Sequence, residues 1–527
     1  MRRRGRDPRR PAGGWRGEPA RRRPARPRRC GPRARRRGGP VSVGRPTVVV
    51  VGAGGAGLCV ALEAASQGAT VHLVEKQSTM GGMLRIANGE FSGAGSRRQA
   101  ERGIEDSPER HWDEVRRISH DRVDPGLARM SVLRQGETVD WLESLGFQFH
   151  PDCPGLIHGH EVYDVPRTYW GVEQGHSVLQ VLLPLVEEQV QAGRVVLHLS
   201  TRLRGLVREA DAVVGVAVED PEGSRELRGD AVVLATGGYD ANIGLRNRFM
   251  PEHCADVLVG CLDHATGDGL VAAEEVGAAV SADGIFLPVM GMIPDPDRPQ
   301  HAVDYRQAFV EMAPAYRTPH EIWVNRHGER FVAEDTRSPE QRERALIRQP
   351  GNLMHIVFDA SVVREAPVSL IRNPADEWTP ERFAESCRSS PWITRADSLE
   401  ELARALDVPA DALARNVADY NAAVRGEVVD ALGRTTFPTA LEEGPWYAIT
   451  TVAASILSRD GLRAGTDLRV QDQQGEPIPG LYAVGEVLGN NVFAGDNYVG
   501  GMSITPAMTL GRLLGRALGA GAAEEQQ

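Results

Sequence analysis

The run PTVVVV at residues 46–51 is unbroken in apolar character from Val48 onward. Continuity of this kind, without alternation, suits a short strand buried on both faces of a parallel sheet. LCVALEAASQG then reads as a helix that stops at Gly68, and TVHLVE as a second strand ending in Glu75. Two similar apolar runs stand far along the chain, in RGDAVVLATGGYD and in PIPGLYAVGEVLG. SITPAMTLGRLLGRAL, from Ser503, reads as a helix with Pro506 in its first turn. Strands interleaved with helical segments predict an α/β fold with a parallel sheet. The first 40 residues break the pattern: they are Arg, Pro and Gly with almost no apolar position, too little to bury on folding.

Between the first strand and helix, Gly52, Gly54 and Gly57 take the spacing G-x-G-x-x-G. Gly52 permits a tight turn, Gly54 lets backbone approach a pyrophosphate, and Gly57 lets helix and strand pack closely. The anion would sit on the helix N-terminus, where free N–H groups and the dipole favour negative charge. Glu75, 23 residues after Gly52, is placed to bind the ribose hydroxyls of an adenosine. Strand, glycines, helix, strand and terminal acid together predict a dinucleotide site, but leave NAD and FAD both open. Gly81 and Gly82, the small-residue stretch to Gly95, and the later ATGG and GE turns favour the longer, bulkier FAD.

A chain of 527 residues is too long for one ordinary domain. Its net charge of −10 hides a split: the first 40 residues carry 17 Arg against Asp7 and Glu18, a net of +15, so the remainder holds −25. An acidic folded part argues against a nucleic-acid groove. Three readings compete for the basic head: a targeting signal, a nucleic-acid arm, or translated upstream sequence. The absence of an apolar core before residue 47 weighs against a secretory signal, and a single lysine, Lys76, among 60 arginines favours GC-rich upstream sequence. The six cysteines show no CxxC, haem-attachment or zinc spacing, so neither a metal nor a disulfide framework is expected. With no stretch of about 20 apolar residues, no membrane helix is expected, and a cytoplasmic location is the expectation.

GAGGAG, EK, GG, ATGG, ATGDG at 265–269, IWVNRHGERFVAED at 322–335, and PIPGLYAVGE followed by GDNYVGGMS occur in that order. This ordered set resembles the soluble fumarate reductase and 3-ketosteroid dehydrogenase flavoproteins, over about residues 46–518. The resemblance implies a two-part Rossmann-like FAD-binding domain interrupted by an α+β cap, with the active site between them. The expected division is a disordered 1–43, an FAD domain at 44–283 and 458–527, and a cap at 284–457. By resemblance, Gly52, Gly54, Ala56 and Gly57 take the pyrophosphate, Glu75 the adenosine ribose, and Met83, Asn88 and Gly89 the flavin ring region, with Lys76, Gly81 and Gly82 as further cofactor-binding residues. Leu203 and Ala235, with Thr236 and Gly237, line the adenine side, and Asp268 the ribityl side. Gly485, Glu486, Met502, Ser503 and Ile504 support the flavin from below. Relatives that bind FAD covalently use a histidine after the GG pair; none lies between Gly81 and Arg110, so non-covalent FAD is expected.

The dicarboxylate clamp of fumarate reductases is mostly missing. Tyr498 stands where the family's G-x-N-R-x-G-G turn carries arginine, Leu457 stands at a histidine position, and IFLPVMGM is apolar where another is expected. Ile285, Phe286, Leu287, Val289 and Met290 with Tyr498 suit a neutral, hydrophobic ligand. NYVGGMSITPAMTLG is similar to the ketosteroid dehydrogenase ending, which implies that Tyr498 and the Gly501 N–H hold a substrate ketone oxygen. Arg337 lies near the family's active-site arginine acid and Arg317 near its proton relay; each reads equally as a solvated loop arginine, and Tyr498 equally as core filler. The expected enzyme is an FAD-dependent oxidoreductase acting on CH–CH or C=C next to a carbonyl, with an external electron donor or acceptor. A carboxylate-specific reductase anchored by Arg337, and a flavin-scaffolded binding protein with a basic arm, are the alternatives.

Overall fold

The computed structural model describes residues 45–254, 256–283, 286–305, 307–365, 371–372 and 379–521. The basic head, with the disorder expected for it, lies outside these residues, and so does Ile285.

Thr47–Val51 sits between Thr70–Val74 and Ala231–Leu234 in a six-stranded sheet. Val195–His198 lies beyond the former and Pro477–Ala483 beyond the latter, all parallel, and Arg469–Gln471 closes the edge antiparallel. Val49, Val50, Val232 and Val233 are fully buried, as unbroken apolar strands require. Each such side chain contributes about 1.5–3 kcal/mol by leaving water. Leu481 stands beside Val232 and Ala483 beside Leu234, so a strand close to the C-terminus completes a sheet begun at residue 47. The α/β architecture with a sheet assembled from two remote parts is the one the sequence predicts.

The first helix, Gly55–Ser66, is covered by the last, Ile504–Gly519. Gly511, Gly515 and Gly519 face the carbonyl oxygens of Ala56, Val60 and Ala64, where a Cβ would stand 2.7, 2.6 and 2.6 Å away. A four-residue repeat on both helices thus lets two backbones touch without side chains between them. This contact fixes the start of the last helix against the start of the first.

A second sheet is built around the long strand Trp446–Ser455. Leu353–Asp359 pairs with it antiparallel and carries Ile322–Val324 on its far side, while Val289–Met292 and Ile393–Ala396 also pair antiparallel with the long strand. Leu258–Val259 joins it in parallel, so this sheet draws in residues ahead of 284, where the cap was expected to begin. The chain then returns for the helix Asp268–Glu275. Trp323, Phe358 and Tyr420 fill a separate apolar core under this sheet. That core also buries charge. Arg317 pairs with Glu321 at 2.6 Å, Arg330 with Glu334 at 2.6 Å and Asp430 at 2.5 Å, and Arg434 with Glu334 at 3.1 Å. The NRHGERFVAED stretch is therefore largely a hairpin support: Asn325 Oδ1 accepts the His327 and Glu329 N–H groups, and Glu334 ends in this ion-pair cluster.

Candidate active site

A cavity of about 1330 Å³ runs from the end of the first strand to the turn around Tyr498. At one end Gly52, with φ +104°, takes a conformation that favours glycine, and a Cβ there would overlap the Ala235 carbonyl oxygen. A Cβ on Gly57 would overlap the Gly52 carbonyl oxygen. Around Gly54, by contrast, there is nothing within 4 Å of where a Cβ would be. The middle glycine faces open cavity while its neighbours are locked in packing, the division of labour a pyrophosphate loop needs. Gly54 caps the helix Gly55–Ser66 and brings no side-chain acceptor to its N-terminus.

Glu75, at the end of the second strand, lines the same end. Its Oε2 accepts the Ala53 N–H at 2.9 Å and its Oε1 the Gln77 N–H at 2.8 Å, which fixes the carboxylate at the cavity wall. Lys76 Nζ donates to Thr266 Oγ1 at 2.7 Å and Asp268 Oδ2 at 3.0 Å, and Arg202 reaches Asp268 Oδ1 at 2.8 Å. Burial works against the Asp268 charge, but Arg202 and Lys76 outweigh it and hold the pKa below the usual carboxylate value. Gly82, Met83, Asn88, Gly89, Leu203, Ala235, Thr236 and Gly237 continue the wall, and Thr236 Oγ1 is buried without a partner. Gly485, Glu486, Met502, Ser503 and Ile504 line the other side, at the start of the last helix. Burial, helped by Asp240, raises Glu486 to about 8, so it is mostly protonated at neutral pH. Gly57 and Gly81 are the two residues of the expected cofactor set that pack behind the wall rather than on it. This elongated trough, with an anion-ready helix end and a ribose-ready carboxylate, fits FAD.

Beyond the trough the wall turns apolar, through Val289, Met290, Met292, Phe309, Met312 and Leu457. Val289 and Met290 from the expected apolar set line it; Phe286 and Leu287 are buried but do not. Tyr498 lines the cavity, and its phenol donates to the Leu287 carbonyl at 3.0 Å. The Arg459 guanidinium lies 4.3 Å from the Tyr498 ring centre, and the His160 ring stands 5.4 Å away on a tilt. Burial raises the Tyr498 pKa above that of an ordinary phenol, against the pull of Arg459. Gly501, with φ +73°, also lines the cavity and packs so tightly on Ser92 that a Cβ would overlap its N–H.

The two arginines singled out in the sequence stand elsewhere. Arg337 is exposed on a loop and does not line the cavity. Arg317 is buried beside the cavity wall with both Nη atoms on Glu321, at 2.9 and 2.6 Å. Arg342, five residues after Arg337, lines the cavity instead, with Glu343 next to it. Ser338 caps the helix Pro339–Leu346, its Oγ accepting the Gln341 N–H, and that helix directs Arg342 and Glu343 inward. The S-P-E-Q start of this helix was the available signal. Burial drives the Glu343 pKa well above the ordinary range although Arg342 and Arg459 oppose it. Glu90 and His160 also line the cavity, in loops without periodicity that left no trace in the sequence. Among the described residues, no group of three or more His, Cys, Asp or Glu is arranged to hold a metal, and no helix is long and apolar enough to cross a membrane.

The FAD binding domain family model matches residues 47–504. The fumarate reductase (cytochrome) of Shewanella frigidimarina is 30% identical over 474 residues, which cover 89% of this chain and 76% of that protein. A flavocytochrome c3 fumarate reductase in its open conformation superposes with a TM-score of 0.71 at 26% identity, over 91% of this chain and 79% of that one. The 3-ketosteroid delta1-dehydrogenase of Sterolibacterium denitrificans shares the fold, with a TM-score of 0.72 at 20% identity, over 90% of this chain and 100% of that one. The FAD-shaped trough and a family match spanning nearly all of the described chain lead to one conclusion: the protein belongs to the FAD binding domain family, is homologous to fumarate reductases, and is an FAD-dependent oxidoreductase.

Proposed function

We propose that this flavoenzyme interconverts CH–CH and C=C next to the carbonyl of a neutral, largely apolar substrate, and exchanges its electrons with a partner outside the chain. The observation that carries this reading is the balance of the cavity beyond the FAD trough. Among the described residues its wall is largely apolar, broken by Tyr305, Tyr316, Tyr498 and a few ionisable groups, of which Glu90, Glu311 and Glu343 outnumber Arg342. A dicarboxylate buried there would find one guanidinium among the described residues for its two charges, and the charge left unpaired costs several kcal/mol.

FAD supplies the two-electron carrier that takes or gives hydride. The chain supplies the shape and polarity around it. Tyr498 and the Gly501 N–H are the proposed donors to the substrate's carbonyl oxygen; they stabilise the enolate that develops as the neighbouring C–H is lost or gained. Tyr498 must exchange its bond to the Leu287 carbonyl for one to the substrate, and Arg459, which also reaches that carbonyl at 3.4 Å, is available to cover the oxygen left behind. Arg459 against the ring face keeps the tyrosine seated while its hydroxyl changes partner.

A carboxylate-bearing substrate is the second reading, favoured by Arg342 alone: among the described residues it is the cation in the cavity wall beyond the trough, and its Nε is buried without a partner. The test is anaerobic titration of the FAD-loaded protein with saturated cyclic ketones, including a ketosteroid, followed by flavin bleaching. Bleaching is expected, and Tyr498→Phe is expected to slow it by about 10²-fold with little change in flavin content. Bleaching by saturated mono- or dicarboxylates with none by ketones would replace the first reading by the second.

A further inference from the structure

Hydride transfer at the carbon β to an activated carbonyl must be matched by a proton at the α carbon, and neither Arg337 nor Arg317 lines the cavity to handle it. Of the ionisable groups that do line the substrate side, most are committed. Tyr498 donates its hydrogen bond to the Leu287 carbonyl. Arg342 Nη1 donates to the Thr336 carbonyl at 2.6 Å, Glu311 Oε1 accepts the Ala313 N–H at 3.0 Å, and Glu343 lines the wall as a carboxyl that burial holds far above the ordinary range. Glu90 is differently placed. It follows Asn88 and Gly89 in the trough wall and precedes Phe91–Ser92, whose Ser92 N–H donates to Thr505 Oγ1 at 2.7 Å in the first turn of the last helix. Gly501 packs against the same Ser92. Glu90 therefore stands where the trough, the Tyr498 turn and the substrate chamber meet. Its carboxylate lies 3.8 Å from His160 Nε2, and the His160 ring is the one resting against Tyr498.

We infer that Glu90, positioned by His160, is the acid–base group that exchanges a proton with the substrate carbon next to the one that exchanges hydride; this rests on the function proposed above. In the oxidative direction the substrate C–H bond breaks, its electron pair forms the C=C as hydride departs to FAD, and the proton goes to ionised Glu90. In the reductive direction protonated Glu90 gives that proton to carbon and is left ionised. Burial raises the Glu90 pKa to about 7, where a carboxyl can serve in both directions near neutrality. Burial and the nearby Arg459 hold His160 down at about 4, so it is neutral there and leaves the titration to Glu90. The other ionisable groups that line the same side of the cavity are Asp152 on the His160 loop, Tyr498 backed by Arg459, Glu311, and Arg342 with Glu343 on their helix.

The experiment uses the FAD-loaded full chain in stopped flow across pH, in both directions. One arm follows bleaching by a saturated ketone and the other reoxidation of reduced protein by the matching enone. With Glu90 as base, bleaching rises with pH through about 7; with Glu90 as acid, reoxidation falls through the same range. Glu90→Gln is expected to lose both limbs and to slow each reaction by about 10²–10⁴-fold at unchanged flavin content. His160→Ala opens the carboxyl to water and should move the limb toward lower pH. A readout independent of turnover is the infrared difference between wild type and Glu90→Gln, in which the protonated carboxyls of Glu343 and Glu486 cancel and one carboxylic-acid carbonyl band is expected below about pH 7. Limbs and rates in Glu90→Gln within about threefold of wild type overturn the inference while leaving the function intact. If the wild type transfers no electrons to or from ketone and enone, the function fails instead. The infrared titration then still decides the state of Glu90: a group ionised throughout pH 6 to about 8 overturns the inference.

Discussion

Single positions in the trough carry separable jobs, and substitution should pull them apart. Gly54 faces open space and Gly57 is pressed against the Gly52 carbonyl. Gly54→Ala is therefore expected to fold with a melting temperature close to wild type in the flavin-free state yet to bind FAD at least tenfold more weakly, because the added methyl occupies the pyrophosphate's approach. Gly57→Ala must shift strand against helix and is expected to lose both stability and flavin, by about 3 kcal/mol or more in stability. Calorimetry of flavin-free protein beside FAD titration separates the two effects. At this scale the sequence was readable where a residue's placement is set locally. Glycine spacing, the acid ending the second strand and the turn tyrosine are such features. Arg459, Glu90 and His160 were not readable, because their places in and behind the wall come from loops that meet only after folding.

The two helices that cover one another show how an element-level pattern can fix a site. Gly511, Gly515 and Gly519 recur at the spacing that matches Ala56, Val60 and Ala64, and the pair ties the pyrophosphate end of the trough to the start of the last helix. Gly515→Leu should force the helices apart, costing about 3 kcal/mol and weakening FAD binding although residue 515 does not line the cavity. Urea unfolding and flavin retention check both consequences. The parallel strands were legible as unbroken apolar runs, and the last helix by its periodicity and Pro506. The second sheet was harder to read. Its long strand, Trp446–Ser455, takes partners in both orientations from Leu258 to Ile393, and such pairing follows from chain topology rather than local pattern. The same limit explains the arginines: Arg337 carries the motif-like position, but the helix capped by Ser338 turns Arg342 inward.

On the scale of the whole molecule, one core supports the FAD trough and another, threaded with buried ion pairs, supports the substrate side. Arg317 belongs to that support. Burial opposes the Glu321 charge and Arg317 overrides it, holding the pKa at about 2. The stabilisation is thus present above the ordinary carboxylate value and is lost as pH falls from about 4.5 toward 2. Arg317→Ala should cost about 3–5 kcal/mol at neutral pH by stranding Glu321, whereas exposed Arg337→Ala should leave stability within about 0.5 kcal/mol and turnover near wild type. Thermal melts and steady-state rates of the two variants test this contrast. What these cores jointly hold in place is a chamber whose described lining carries more carboxyl groups than guanidinium groups and includes a hydrogen-bonding tyrosine. The most direct measurement of that claim is the anaerobic reoxidation of reduced, FAD-loaded protein by a neutral cyclic enone and, separately, by fumarate. Reoxidation at least tenfold faster with the enone is the predicted result; rapid reoxidation by fumarate with none by the enone would contradict the account.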